Sequence, residues 1–323
     1  MADRNLIKKN LKNTLTETNF KGYKRVYKGK VRDVYEVKSQ RFFVATDRQS
    51  AFDRILASVP FKGAVLNLFS KFWFEQTKDI IANHMIAVPD ANVMVMKPLK
   101  IFPVEVVVRG YLTGTTGTSA WVAYEKGERL FCGVKLPERL KKNQAFDHPI
   151  LTPTTKSDAH DEKISAEEIV KRGLVPEQQW KKIEEAALKI FARGQAIAKK
   201  QGYILVDTKY EFGEDEKGNV VLADEVHTPD SSRYWVAATY EKQLAAGQEP
   251  ENFDKEFLRL WFKNHCDPYN DPVLPPAPDE LVEELAFRYI DIYEKLTSLA
   301  FNAQADLPIH DRIQKNLNIY FNT

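Results

Sequence analysis

Cysteine is scarce: Cys132 and Cys266 are the two in 323 residues, and they form no C-x-x-C pair. That excludes a disulfide framework and a zinc ribbon, and it suits a reduced, cytoplasmic setting. No run of 18 apolar residues occurs, so no membrane-spanning helix is expected. Residues 1–12 are polar and mixed in charge, without the apolar stretch of a secretory signal. The six histidines are scattered and make no H-E-x-x-H pattern. Charge of one sign is also lacking. Lys plus Arg number 47 against 45 Asp plus Glu, a net charge of +2, which argues against a dedicated nucleic-acid binder. Hydrophobic residues at 43% and charged residues at 28% fit a globular chain. At about 150 residues per domain, the length suggests two domains.

The first hundred residues read as β-rich. Lys28-Gly29-Lys30 separates two β-prone runs between Tyr23 and Val37, and 41–46 and 92–96 read as further strands. Between them, 64–81 carries Val65, Leu68, Phe69, Phe72 and Trp73 at helical spacing. A boundary is expected near Pro98, giving domains over 1–98 and 99–323. Val104 to Val108 suits a buried strand. A helix is expected from Ser119, and 132–161 reads as loop-rich. The clearest helix is 176–200, with one apolar stripe and Gly202 after it. Strands follow at 203–212 and 220–226, and helices at 253–263 and 279–299. Strands and helices are partly segregated, so the expected class is α+β.

Asp207, Lys209 and Glu211 alternate with Val206, Thr208, Tyr210 and Phe212, which puts the three charges on one strand face. Alone, that describes a half-buried strand with a solvated side. The returning segment changes the reading, because Asp224 and Glu225 bring more carboxylates beside the first. Carboxylates gathered at one hairpin repel unless a cation lies among them. A hard cation sharing phosphate oxygens, as Mg²⁺ does, answers that arrangement, and Lys209 would then meet phosphate as a point charge. Thr228 to Arg233 reads as a capped helix start that doubles as an anion site. The basic hairpin from Tyr27 to Asp33 lacks Walker A spacing and reads either as a solvated turn or as a ligand contact. Segments 46–53 and 154–161 are equally open between loop and ligand contact.

Taken together, these segments resemble the SAICAR synthetases, the phosphoribosylaminoimidazole-succinocarboxamide synthases of purine biosynthesis. The resemblance rests on GKVRDVY at 29–35, DRQSAFD at 47–53, PVEVVVRGYLTG at 103–114, KSDAHD at 156–161, LVDTKYEFG at 205–213 and DEVHTPDSSR at 224–233, in the family's order. It implies a two-lobe fold related to ATP-grasp: a β-rich N-terminal nucleotide-binding lobe on an α/β lobe that ends in C-terminal helices over about 246–323. It also implies a ligase that joins L-aspartate to carboxyaminoimidazole ribonucleotide (CAIR) at the expense of ATP, with Mg²⁺, through an acyl phosphate.

Carried over residue by residue, the resemblance puts Lys30 and Arg32 over the ATP phosphates and Met96, Lys97 and Leu99 at the adenine. Glu211 and Asp224 hold the metal, with Lys209 near the phosphates. Arg109, Thr115 and Arg233 receive the CAIR phosphate, and Asp230 and Ser232 lie beside its imidazole and ribose. Lys156, Asp158 and His160 serve aspartate, and Asp47, Ser50 and Asp53 are further substrate contacts. Thr115 departs from the serine found in many members, which leaves Thr116 and Ser119 as alternative hydroxyls. The implied partners are these small molecules alone, with no nucleic acid, membrane or obligate protein. Two other classes stay open on the residues themselves: a different ATP-dependent enzyme, such as a small-molecule kinase, and a non-catalytic nucleotide binder.

Overall fold

A computed structural model describes residues 3–38, 40–156, 162–252, 256–302, 305 and 307–322. The chain divides into two compact units, Met1–Phe72 with Met85–Pro98 and Phe253–Thr323, and Trp73–His84 with Leu99–Asn252. Antiparallel sheets and separate helices make the class α+β, as expected.

The first unit opens with α1 (Arg4–Lys9), then β1 (Lys24–Lys28), β2 (Arg32–Val37), β3 (Gln40–Ala45), β4 (Arg48–Ala51) and β5 (Arg54–Ser58). Helix α2 (Lys62–Thr77) begins in this unit and finishes in the second. Strands β6 (Met85–Asp90) and β7 (Val93–Met96) return to the first, giving a five-stranded sheet in the order β1-β2-β3-β7-β6. The β1–β2 turn closes on Gly29, whose N–H donates to the Arg32 carbonyl at 2.9 Å. A side chain at Gly29 would put its Cβ 2.5 Å from that same oxygen, so only glycine fits.

The second unit is built on a seven-stranded sheet. Its elements run β8 (Lys100–Ile101), β9 (Val104–Tyr111), α3 (Ala120–Glu125), β10 (Leu130–Phe131), β11 (Val134–Lys135), β12 (Ala145–Leu151), β13 (Thr154–Thr155), α4 (Ala166–Lys171), α5 (Glu177–Lys200), β14 (Tyr203–Glu214), β15 (Val220–Ala223), β16 (Ser232–Val236) and α6 (Ala237–Ala245). Strand β14 is central and pairs with β9, β15, β16 and β8, all antiparallel. Helix α5 buries Ile183, Ala187, Ile190 and Phe191 in the core. At Gly194 an added Cβ would lie 2.3 Å from His227, so glycine here lets the helix approach.

The chain then returns to the first unit with α7 (Glu256–His265), α8 (Asp279–Thr297) and α9 (Ile309–Asn322). Ile309, Ile313 and Leu317 of α9 pack with Phe20, Tyr35, Phe42, Val44, Val93 and Val95. Arg312 joins them by a buried pair with Asp90 at 3.0 Å.

Several expectations need correction. The 132–161 stretch contains strands, because β9 supplies partners for β12 and β13 that local pattern cannot reveal. Pro149 sits in β12 where the register is irregular, an edge position that proline tolerates. Residues 228–233 do not start a helix. Thr228 caps a turn by accepting from Ser231 and Ser232 N–H groups, and aromatic Tyr234 and Trp235 then continue as β16. Strand β15 stops at Ala223, since Asp224 turns to φ +63°. The C-terminal helices, expected as an extension of the α/β lobe, group from Phe253 onward with the first unit.

Candidate functional site

In the second unit, β14 presents Asp207, Lys209 and Glu211 on one face, and each meets an opposite charge. Arg233 and Arg109 reach Asp207 at 3.1 and 3.7 Å. The Lys209 ammonium donates to Glu105 at 2.7 Å, and Lys156 donates to Glu211 at 2.5 Å. Strand register explains the meeting: Asp207 lies opposite Arg109 on β9 and opposite Arg233 on β16. The row is not a solvated face. Asp207, Glu211, Glu105 and Arg109 are all buried. Buried charges persist only when paired, and here the signs alternate from strand to strand.

Neighbours tune the row. Burial raises the Glu211 carboxyl above its usual range and Asp224 adds to the rise, while Lys156 and Lys209 oppose it. Burial works against the Lys209 ammonium, yet Glu105, Asp224 and Glu211 overcome it and raise its pKa. Arg109 is pulled down by burial and by Arg233, against Asp207. The Arg109 Nε also donates to Thr152 Oγ1 at 2.8 Å and its Nη2 to the Thr118 carbonyl at 3.3 Å. Ser232 and Thr208 share a hydroxyl hydrogen bond of 2.7 Å.

Glu211 and Asp224 fit a divalent cation. Register sets Glu211 opposite Ala223, one residue before Asp224. Repulsion from Asp224, which adds to the burial that lifts Glu211, is what a cation between them would relieve. Among the described residues no group of three or more His, Cys, Asp or Glu is placed to hold a metal. An ion here therefore needs water and phosphate oxygens as further ligands, which is the habit of Mg²⁺.

On the opposite face of β14, Tyr210 meets His227 at 2.5 Å. Burial drives the His227 pKa down to about 3, so the ring is neutral and structural. Asp230 sits in the turn before β16, its N–H donating to the Thr228 hydroxyl. Thr115 is exposed, and the backbone partner of Arg109 in this loop is Thr118, three residues on. Asp158 and His160 lie outside the described residues.

The first unit holds the other expected contacts. At the β1–β2 turn, exposed Lys30 pairs with exposed Asp53 at 2.5 Å. The Arg32 guanidinium stands 5.5 Å from the centre of the Phe43 ring. Arg48 underpins the turn: it donates to the carbonyls of Gly29, Lys30 and Thr16 and pairs with buried Asp33 at 2.5 Å. Asp47 is a correction. Its carboxylate is fully buried and accepts from the N–H groups of Leu15 and Gly63 at 2.8 and 2.9 Å, so it braces the backbone and is closed to a substrate. Ser50 is half-buried in β4. Met96 ends β7 as a buried residue, Lys97 is exposed and Leu99 is half-buried.

Two residues beside the site have no role that sequence alone assigns: Glu105 holds Lys209, and Arg48 holds the glycine turn. Asp207, expected beside a cation, instead holds both arginines. The signal for Glu105 was present, as a single carboxylate inside a run of valines.

A family model described as SAICAR synthetase matches residues 25–276. A phosphoribosylaminoimidazole-succinocarboxamide synthase of Legionella pneumophila (strain Paris) is 54% identical over 304 residues, covering 94% of this chain and 97% of the relative. The chloroplastic synthase of Arabidopsis thaliana is 52% identical over 315 residues, covering 96% and 77%. Among solved structures, the Saccharomyces cerevisiae SAICAR synthase complexed with SAICAR superposes with a TM-score of 0.78 at 36% identity, over 89% of this chain and 99% of that one. A SAICAR synthetase in complex with ADP gives 0.64 at 27% identity, over 85% and 99%. With this likeness over nearly its whole length, the chain belongs to the SAICAR synthetase family.

Proposed function

We propose that this protein joins L-aspartate to the carboxylate of CAIR, consuming ATP and releasing SAICAR, ADP and phosphate in purine biosynthesis. Family membership supports the reaction, and the alternating charge row on β14 is the observation that carries the residue roles. A free carboxylate is a poor electrophile at neutral pH. Phosphoryl transfer from ATP to the CAIR carboxylate gives an acyl phosphate, which the aspartate amine attacks with loss of phosphate. The protein's work is to position three anions and neutralise their charge.

Glu211 and Asp224 would hold Mg²⁺, which when bound supplies charge neutralisation at the phosphates. Lys209, steadied by Glu105, meets the transferring phosphoryl group. Arg109 and Arg233 present planar donors to the CAIR phosphate, with Ser232 and Thr115 as hydroxyls, and Asp230 faces the imidazole and ribose. Lys156, Asp158 and His160 serve aspartate. Lys30 and Arg32 cover the ATP phosphates, and Met96, Lys97 and Leu99 line the adenine site; Ser50 and Asp53 contact substrate from their hairpin. No helix of the described residues is long and apolar enough to cross a membrane. A cytoplasmic location is part of this reading, as are small-molecule partners alone.

A coupled assay of ADP release, with each substrate omitted in turn, tests the reaction. Release that needs both CAIR and aspartate is the expected result. Release with CAIR alone at the full rate would instead identify a kinase.

A further inference from the structure

Lys156 stands one residue past β13, where its backbone N–H donates to the Pro103 carbonyl at 3.0 Å. Its main chain is thereby pinned beside β9. Its side chain is 46% exposed, and among the described residues its ammonium meets a single carboxylate, buried Glu211, at 2.5 Å. A compact ammonium on a flexible four-carbon stem can leave such a partner by rotation about its own bonds. Lys209 differs, because its ammonium donates to Glu105 and not to Glu211.

Charge shows what displaces Lys156. Glu105, Glu211 and Asp224 act on Lys209, and Asp224, Lys156 and Lys209 act on Glu211, so three carboxylates surround two ammonium groups. That cluster carries one negative charge in excess. A dication added beside Lys156 turns the excess to one positive charge, whereas a dication in place of Lys156 brings the cluster to zero. The carboxylate oxygens that accept from an ammonium are also those a hard cation binds, so the two compete for Glu211.

We propose that Lys156 is a built-in stand-in for the divalent cation. It holds Glu211 until the ion arrives, then swings off and offers its ammonium to the carboxylate of incoming aspartate. The inference rests on the reading that Glu211 and Asp224 hold Mg²⁺. It joins metal loading to aspartate binding, and such linkage is reciprocal.

Titration of the full chain with Mn²⁺ alone tests the exchange, with free Mn²⁺ followed by electron paramagnetic resonance. Lys156→Met removes the competitor and should bind Mn²⁺ about fivefold tighter, the scale of one partly exposed ion pair. Loss of a nearby positive charge would also tighten binding without an exchange, so a second measurement follows the wild-type lysine itself. Brief acetylation with acetic anhydride is read at Lys156 by mass spectrometry. It should rise about threefold on Mn²⁺ addition, because an amine freed from a carboxylate gives up its proton more readily. Lys181, paired with Glu177 on α5, should not change. Saturating aspartate should lower the wild-type Kd for Mn²⁺ severalfold and leave that of Lys156→Met unchanged. The exchange is overturned by equal or weaker Mn²⁺ binding in Lys156→Met, by unchanged acetylation of Lys156, or by an aspartate effect that is absent from the wild type or survives in Lys156→Met. Those results leave the metal site standing if Glu211→Gln abolishes Mn²⁺ binding. No binding to the wild type, or binding that Glu211→Gln leaves intact, overturns the metal reading and the exchange together.

Discussion

Arg109 and Arg233 converge on one oxygen of Asp207, at 3.7 and 3.1 Å. Two guanidinium groups held side by side repel each other, and the carboxylate between them makes their closeness tolerable. If the pair receives the CAIR phosphate as proposed, it is thereby organised for a dianion before any substrate arrives, so less ordering is left to the binding step. Asp207→Asn should leave two cations without their counter-charge. The CAIR KM should rise at least about tenfold, equivalent to ~1.4 kcal/mol, while the ATP KM changes less than about twofold. Steady-state kinetics with each substrate varied checks this, and a shift in the ATP KM alone would exchange the two anion sites.

Glu211 carries the metal assignment. Glu211→Gln keeps the shape and removes the charge that draws Lys156 and would draw the proposed cation. Turnover should fall on the order of 10²-fold, and the Mg²⁺ concentration for half-maximal rate should rise, because phosphoryl transfer depends on neutralised charge. Thermal melting of the variant establishes that the fold is kept. A folded variant with ordinary Mg²⁺ dependence would remove Glu211 from the metal site.

Arg48 is the test of the glycine turn. It is 2% exposed and ties three backbone carbonyls to Asp33. Arg48→Met leaves Asp33 buried without that charge, a change that costs about 3–5 kcal/mol in comparable pairs. Arg48→Lys keeps the charge but lacks the fork, so it should fold, melt lower and show a raised ATP KM from a loosened turn. An unchanged ATP KM in folded Arg48→Lys would separate the turn from nucleotide binding.

Much of this architecture is written in local pattern. The period-two charges of β14 are readable because one strand carries them all, and their partners Glu105 and Arg109 on β9 lie in one short valine-rich run. What pattern cannot carry is burial of polar groups. Asp47 stands in a stretch that resembles a ligand contact, yet it braces backbone inside the unit. Pairing from afar is hidden for the same reason. Residues 228–233 look like a helix cap because Thr, Asp and Ser cap both helices and turns, and only the open edge of β14 decides for a strand. Helix α9 gives the same lesson: its apolar stripe is local, but its place on the N-terminal sheet depends on residues more than two hundred positions away, such as Asp90.

Asp47 makes the sharpest pH prediction. Burial raises its carboxyl to about 6, although two backbone N–H groups pull it down. The folded state thus holds the proton more tightly than the unfolded chain does, where the value is near 3.9. Linkage then fixes the sign: this group's contribution to stability is full below about pH 4 and is lost as pH rises through about 6. Asp47→Asn cannot ionise and should lack that slope. It also turns an amide NH₂ toward one of the two donors, so it should be less stable by about 1–3 kcal/mol where the wild-type carboxyl is neutral. The gap between wild type and variant should therefore narrow from pH 4 to pH 7. Urea denaturation at unit pH steps measures it, and a gap that widens with pH would show that the carboxylate is stabilised in its charged form.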